Sequence, residues 1–546
     1  MGSEILSFYQ NKIKKTWKLA FYSAFLLGLL THLYRFCNVL LNADAMYNFY
    51  SSQNMVASGR WFLSIACGLS SYFDLPWVNG ILSLCFMGLT AAMIAEVFRM
   101  ENPVLIVLSS GMLVTFPSIT ATMAYEFTAD GYMLAMALAA ASVCLTRIGQ
   151  IDKAHWKQLL LSSVCICLAC GIYQAYVSFA FIFAVCYFMY ELLEYRYENR
   201  QYWKWIGAQI LIYAFALAAY YVIWKLCLYF QGTAASSYQG MDQMELIGVK
   251  ELVDVIFKIG KNFLSFFLQW DIFKHGITLY SFLNILFLIS FVGVFFTAIW
   301  KSGMLKRKSH LLLQLLCFVS LPIGGYMWFF VSPEVSYHGV MLQSMSLLYI
   351  LMAVLVERWL SKRVKTMALV LLVVIEFNNF ISANVYYRYM GLCFEKTQAV
   401  ATEVTTRIHL LDDGNVKYVA FYGELDGWED EFFFANDGLR RVGGWRLLHR
   451  TILSPMFLSQ YTDFSLSYYR NHNLEYPLVT IDSQMEIPAP VNWEFRFPLL
   501  GTEQKAALAQ TEEVKSMPVW PAAGSVQVIG DTVVVKLSEE APAGEE

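Results

Sequence analysis

Apolar residues run through this chain in long blocks, separated at short intervals by polar and basic residues. A membrane-spanning helix needs about 20 mainly apolar residues, with about 17 as the lower limit. Runs of that kind occur near 17–36, 78–98, 103–119, 131–147, 205–230, 278–299, 311–331, 339–357 and 366–385. The stretch 158–194 is too long for one span and is interrupted at Gly171-Ile172-Tyr173-Gln174, so it divides into two. The pattern predicts a polytopic α-helical membrane protein with about eleven transmembrane helices.

Lys and Arg near span ends set the orientation. Lys12–Lys18, Arg99, Arg147 with Lys153 and Lys157, Arg196 with Arg200 and Lys204, Lys301–Lys308 and Arg358–Lys365 fall at every second connection. The intervening connections, 37–77, 120–130, 171–174, 231–277 and 332–338, hold few basic residues. A cytoplasmic N-terminus follows, and an odd number of spans places residues 386–546 on the extracytoplasmic side of the plasma membrane. Lys12–Lys18 precede the first run without a small-residue cleavage site after it, so that run reads as a signal anchor.

Two outer loops carry more than a connection. Apolar positions recur through 249–267 at Val249, Leu252, Ile256, Ile259, Phe263 and Phe266, opposite Lys250, Glu251, Asp254, Lys258 and Lys261. That spacing predicts an amphipathic helix in the membrane interface. The partly apolar segment 61–75, with Asp74-Leu75-Pro76 near its end, predicts an interfacial or re-entrant helix. Beyond 385 charge rises and apolar runs shorten. Residues 395–411 read as a helix, Lys417–Gly423 as a strand, and 526–529 with 533–536 as a hairpin around Gly530-Asp531. The chain thus divides into a membrane domain, 1–385, and a small mixed α/β domain, 386–546, whose acidic end from Glu539 reads as disordered.

Composition agrees with this division. Of 546 residues 58% are hydrophobic and 15% charged, against roughly 25% charged in soluble proteins. No single-sign block suggests a nucleic-acid partner. Ten of the eleven cysteines lie in or beside apolar runs, and Cys393 alone falls beyond them. Cys165, Cys167 and Cys170 cluster without a His or carboxylate nearby, which reads as helix packing rather than a metal site. There is no Walker loop, zinc signature, dinucleotide fingerprint or nucleophile elbow.

What remains is a set of polar residues at the outer ends of spans. Asp44, in Leu41-Asn42-Ala43-Asp44-Ala45-Met46-Tyr47-Asn48, can take a proton from an attacking hydroxyl or cap a helix. Glu126 and Asp130 are four apart in Tyr125-Glu126-Phe127-Thr128-Ala129-Asp130-Gly131. They share a face if the segment is helical, for acid–base work or for a cap on a helix starting at Gly131. Lys225, near the outer end of its span, snorkels or meets an anion. Arg35 and Arg60 suit a lipid phosphate, to which Arg binds bidentately. Ser332-Pro333-Glu334-Val335-Ser336-Tyr337-His338 is a short outer loop in which Glu334 and His338 can contact sugar or phosphate. Tyr125, Tyr173 and Gln174 are candidate substrate contacts.

The opening Asn42-Ala43-Asp44-Ala45-Met46-Tyr47, followed by Ser58-Gly59-Arg60-Trp61, resembles the serotype-converting O-antigen glucosyltransferases of the Gtr type. These are multi-span enzymes of the GT-C class. The Tyr125–Asp130 segment and the Ser332–His338 loop share in the resemblance, which extends through about 385. It implies a GT-C-like membrane domain that moves a sugar, typically glucose, from an undecaprenyl-phosphate carrier to a hydroxyl of an envelope glycan, with inversion. It also implies an acidic base in the first outer loop, at Asp44, and donor-phosphate contacts from basic residues such as Arg60 and Lys225. A flippase and a donor-making synthase are implied partners. No cofactor is implied. Some relatives use a divalent metal, but the outer loops hold no clear Asp-x-Asp pair, so the expectation is a metal-independent reaction. Two rival readings stand beside it. A lipid-linked glycan flippase or transporter would use intramembrane charges such as Lys225 and Glu376. A non-catalytic scaffold would use the C-terminal domain to bind wall polymer.

Overall fold

The computed structural model describes residues 13–40, 45, 48, 51–72, 74–151, 155–237, 240, 242, 248, 250–268, 279–332, 335–411, 414–423 and 500–539. The chain forms two units, with a division between Val385 and Tyr386. The few described residues between 38 and 48 belong to the second.

The first unit is helical. In chain order it contains α1 (Lys15–Cys37), α2 (Leu63–Cys67), α3 (Pro76–Val97), α4 (Pro103–Val114), α5 (Pro117–Ala124), α6 (Glu126–Leu145), α7 (Trp156–Ile172) and α8 (Ala175–Glu194). It continues with α9 (Asn199–Gln231), α10 (Leu252–Leu268), α11 (Leu279–Lys301), α12 (Lys308–Gly325), α13 (Ser346–Trp359) and the start of α14 (Lys362–Leu411). Three of these begin on proline at the first helical position (α3, α4 and α5). There the missing N–H costs nothing and φ is already helical.

Among the described residues, eight helices are long and apolar enough to cross a membrane, or nine if α4 and α5 together form one bent span. Eleven were expected. The difference lies in α7, with 17 residues, and α13, with 14. The run 339–357 opens with two 3-10 turns, Gly339–Met341 and Gln343–Met345, before its α-helix starts at Ser346. The run 103–119 breaks because Pro117 forces Phe116 into an extended conformation, φ −60° and ψ 138°, and the chain turns by 45°.

The expected outer loop 120–130 is a second departure. It is helical apart from Tyr125, whose φ −99° and ψ 60° separate α5 from α6. Consequently α6 begins at Glu126 rather than Gly131, and Asp130 sits in its second turn instead of capping it. The interruption at 171–174 falls where expected, between α7 and α8. Segment 61–75 holds α2 and a 3-10 turn, Gly68–Ser70. Helix α10 is amphipathic, but the apolar side facing the protein is Val255, Ile259 and Phe267, while Val253, Ile256 and Phe257 are exposed. Phe267 packs on Phe287 and Tyr349, and Phe266 on Phe116 beside the α4–α5 break.

Glycines bring the leading helices close. A Cβ at Gly28 of α1 would meet Leu84 of α3, and Cβ atoms at Gly80 and Gly88 of α3 would meet Phe36 and Phe21 of α1. Within a bilayer, where water exclusion contributes nothing, such small-residue notches let dispersion hold helices together.

The basic residues assigned to one side gather in ion pairs. Glu96 receives Lys14 at 2.7 Å and Arg147 at 3.1 Å. Arg99 pairs with Glu191, and Arg358 with Glu194 at 2.6 Å. These pairs tie together the ends of α1, α3, α6, α8 and α13.

In the second unit, β1 (Tyr418–Tyr422) is followed by α15 (Thr502–Ala509), α16 (Glu512–Ser516), β2 (Val526–Ile529) and β3 (Thr532–Lys536). The strands form one sheet in the order β1-β3-β2. β1 runs parallel to β3 with Tyr418 opposite Thr532, and β2 antiparallel to it with Val526 opposite Val535. One face buries Val419, Phe421, Val533 and Val535 against Val404 and Ile408 of α14. The other buries Ala420, Tyr422 and Val534 against Val514 and Met517.

Candidate functional site

The break at Tyr125 places Glu126 at the first position of α6, near the C-terminal end of α1 and the start of α3. Its carboxylate pairs with Arg35 of α1 at 2.6 Å, and both side chains are 1% exposed. Arg35 Nε also donates to the Met123 carbonyl at 3.1 Å, so α5 shares in holding it. Asn79 of α3 donates to the Glu126 carbonyl at 3.2 Å.

Two further carboxyls crowd this pair. Asp130, one turn along α6, accepts from the Gly131 amide at 2.8 Å and contacts the Ser70 hydroxyl. Asp74 lies just before α3, within electrostatic reach of Arg35, Glu126 and Asp130. Burial pushes the Asp74 carboxyl above its ordinary value, and Arg35 pulls the other way. Three acidic groups therefore crowd together, two of them, Asp74 and Glu126, within reach of the one guanidinium. Asp74 Oδ1, Glu126 Oε1 and Asp130 Oδ2 are buried without a hydrogen-bond partner among the described residues. Orphaned acceptors of this kind are costly unless a ligand or proton meets them.

The opposite side of α6 faces an aromatic cage. Residues 55–60 form a tight turn closed by Gly59 at φ 79°, with Arg60 N donating to the Met55 carbonyl. That turn carries the Arg60 guanidinium over the Tyr173 ring, 4.5 Å from its centroid, with Nη1 donating to the Tyr132 hydroxyl at 3.2 Å. Tyr132 and Tyr173 stack at 4.8 Å, and Tyr176 stands against both. Gln174 donates to the Ser58 carbonyl at 2.8 Å and to the Tyr220 hydroxyl at 3.1 Å. Gln343 Nε2 reaches Thr122 and Tyr176, each at 3.3 Å. Aromatic faces beside a guanidinium suit a sugar ring next to a phosphate.

Of the residues chosen from sequence, Glu126, Asp130 and Arg35 come together, and so do Arg60, Tyr173 and Gln174. Arg35 holds Glu126 in this arrangement rather than standing open to a phosphate. Tyr125 is half-buried at the α5–α6 break. Lys225 is not brought to either group. It is exposed on α9, 4.9 Å from the Trp224 ring and 5.4 Å from Tyr221. His338 is half-buried at the start of the Gly339–Met341 turn, and burial pushes its imidazole below the ordinary 6.5. Its neighbour Tyr337 packs on Tyr326 and Phe329. Asp44 and Glu334 lie outside the described residues.

Sequence reasoning passed over Asp74, Tyr132, Tyr220 and Gln343. Asp74 stood next to Pro76 and read as punctuation. Gln343 carried a signal of its own, a polar residue at the head of an apolar run.

No curated protein and no solved structure matches the chain. The family model described as glucosyl transferase GtrII matches residues 33–354, a segment that contains both clusters and more than half of the chain. The protein belongs to the GtrII glucosyl transferase family and is a membrane glycosyltransferase, acting between a sugar donor and a glycan acceptor.

Proposed function

We propose that the enzyme transfers a hexose, glucose by preference, from undecaprenyl phosphate to a hydroxyl of a cell-envelope glycan on the extracytoplasmic face of the plasma membrane. The observation that carries this reading is the convergence at the α6 N-terminus. A buried Arg35–Glu126 pair is crowded by Asp74 and Asp130, and the next turn of α6 leads to Arg60 on its tyrosine cage. A donor whose charge sits at a lipid phosphate needs a cation and a sugar platform at the end of a span. The ion-paired ends of α1, α3, α6, α8 and α13 hold the basic residues assigned to the cytoplasm, which supports a site facing outwards.

In this reading the acceptor oxygen attacks the anomeric carbon from the face opposite the phosphate. The bond from that carbon to the phosphate oxygen breaks, and its electron pair leaves with the phosphate. Asp44 takes the hydroxyl proton, and Arg60 stabilises the departing anion. Glu126 and Asp130 orient the sugar hydroxyls, and Glu334 and His338 meet the acceptor. No metal enters the scheme.

The test is transfer of radiolabelled glucose from undecaprenyl phosphate to an envelope extract by purified protein. Asp44→Asn should lose about 10²–10⁴-fold in rate, the span typical of a general base. Wild-type transfer in that variant would remove Asp44 from the mechanism. Absence of transfer from every polyprenyl donor tried would remove the donor class.

A further inference from the structure

We propose that Trp224 of α9 is a positioning residue for Arg60, clamping the turn that carries this arginine to its tyrosines, with Gln174 and Tyr220 as a second hold. This rests on the reading in which Arg60 meets the donor phosphate.

The turn is too short to satisfy itself. Val56–Ser58 is a single 3-10 turn, and the end of a helix leaves carbonyls without partners in its own backbone. Here three consecutive carbonyls are met by three different donors. Trp224 Nε1 donates to the Val56 carbonyl at 2.7 Å. The Ser236 amide donates to the Ala57 carbonyl at 2.9 Å, and the Gln174 side chain to the Ser58 carbonyl at 2.8 Å. Apolar packing reinforces the first of these bonds, since Val56, Trp224 and Leu228 form one buried cluster. Gly232, at φ 62°, ends α9 and turns the chain, and the segment that follows brings Ser236 onto the turn. The second hold stands on the same helix. Gln174 also donates to the Tyr220 hydroxyl at 3.1 Å, and Tyr220 lies one turn before Trp224, their rings stacked at 6.3 Å.

Arg60 stands just beyond this clamp. Tyr132 and Tyr173 place its guanidinium, but the turn places its backbone, and a residue on a loop is held less closely than one on a helix. The clamp lends the loop the rigidity of α9. The donor phosphodiester carries one negative charge and the departing phosphate gains a second, so a displaced guanidinium costs more in the transition state than in the ground state. The outer end of α9, which carries Lys225, thus serves the donor phosphate through the neighbouring Trp224 rather than through the lysine.

The experiment measures transfer from undecaprenyl-phosphate-glucose by the full chain in nanodiscs, together with amide hydrogen exchange over residues 54–60. Trp224→Phe keeps an aromatic ring and removes the N–H. Tyr220→Phe, the milder change, removes the hydroxyl that holds Gln174 and serves if the first variant folds poorly. Trp224→Phe should lower kcat about tenfold, the scale of a buried carbonyl left unpaired, with a smaller rise in donor KM. Tyr220→Phe should lower kcat severalfold, and exchange over 54–60 should quicken in both. Trp203→Phe, at an exposed position on the same helix, should match the wild type. In an Arg60→Met background the cost of Trp224→Phe should vanish, because an effect that acts through Arg60 disappears with it. An undiminished cost in that background makes Trp224 a merely structural residue and overturns the proposal. So do wild-type kcat and exchange in both variants, an outcome that leaves the proposed function standing. Faster exchange in a protein that transfers from no polyprenyl donor would keep the clamp and remove the function.

Discussion

Arg35 shows how far a single residue can be read in isolation. From sequence it is a cation at the end of a span, suited to an anion. In the fold that anion is Glu126, far along the chain, and both groups are removed from solvent. A buried ion pair contributes little net stability, but removing one partner leaves an uncompensated charge and costs about 3–5 kcal/mol. Arg35→Met and Glu126→Gln should each lower the thermal unfolding midpoint in detergent. The double variant should lose less than the sum of the two, and full additivity would show that the pair does not form. Asp74 teaches the converse. Its neighbours Leu75 and Pro76 marked a boundary, and the boundary drew attention from the carboxylate that the fold delivers to the site.

Among the elements, proline and polar breaks were the legible signals. The interruption at Gly171–Gln174, the hairpin at Gly530-Asp531 and the strand at 417–423 could all be read because turn chemistry is local. The single-residue break at Tyr125 was not legible, since nothing in Ala124-Tyr125-Glu126 forbids a helix. That break nevertheless sets where Glu126 and Asp130 point. The same holds at Gly171, which a sequence reading places in the interruption between two spans. Its Cα lies under the Trp61 ring, so that a Cβ would come within 2.6 Å of Trp61 Cε2, and its carbonyl accepts from Phe62 N at 2.8 Å. Gly171→Ala should displace the 55–62 turn that carries Arg60 and raise the donor KM severalfold. Gly293→Ala, which meets nothing within 4 Å, should leave KM unchanged. Equal behaviour of the two variants would show that Arg60 does not depend on this contact.

Across the whole molecule, the count of spans decides where the second unit lies. The long helices were legible because hydropathy integrates over a whole span. The short ones, α7 and α13, were not separable from long ones in a sequence where 3-10 turns are as apolar as α-helix. If both cross, the number is odd and the second unit is extracytoplasmic. Alkaline phosphatase fused after Gly423 should then be active, and the same enzyme fused after Arg307 inactive. Activity at neither position would show that α13 does not cross, activity after Arg307 alone that α7 does not, and activity at both that neither does.

The little sheet of the second unit has a consequence for how the protein is made. Its middle strand is β3, and the parallel neighbour β1 leaves the ribosome on the order of a hundred residues earlier. Pairing so distant in sequence is slow to form, because loop closure precedes any reward from contacts. Throughout that interval β1 presents Val419 and Phe421 without β3 beside them. The newborn chain therefore passes through a stage in which an unpaired edge must be kept from other chains. A lesion near residue 533 would be felt first at residue 419, as aggregation during synthesis rather than as loss of catalysis.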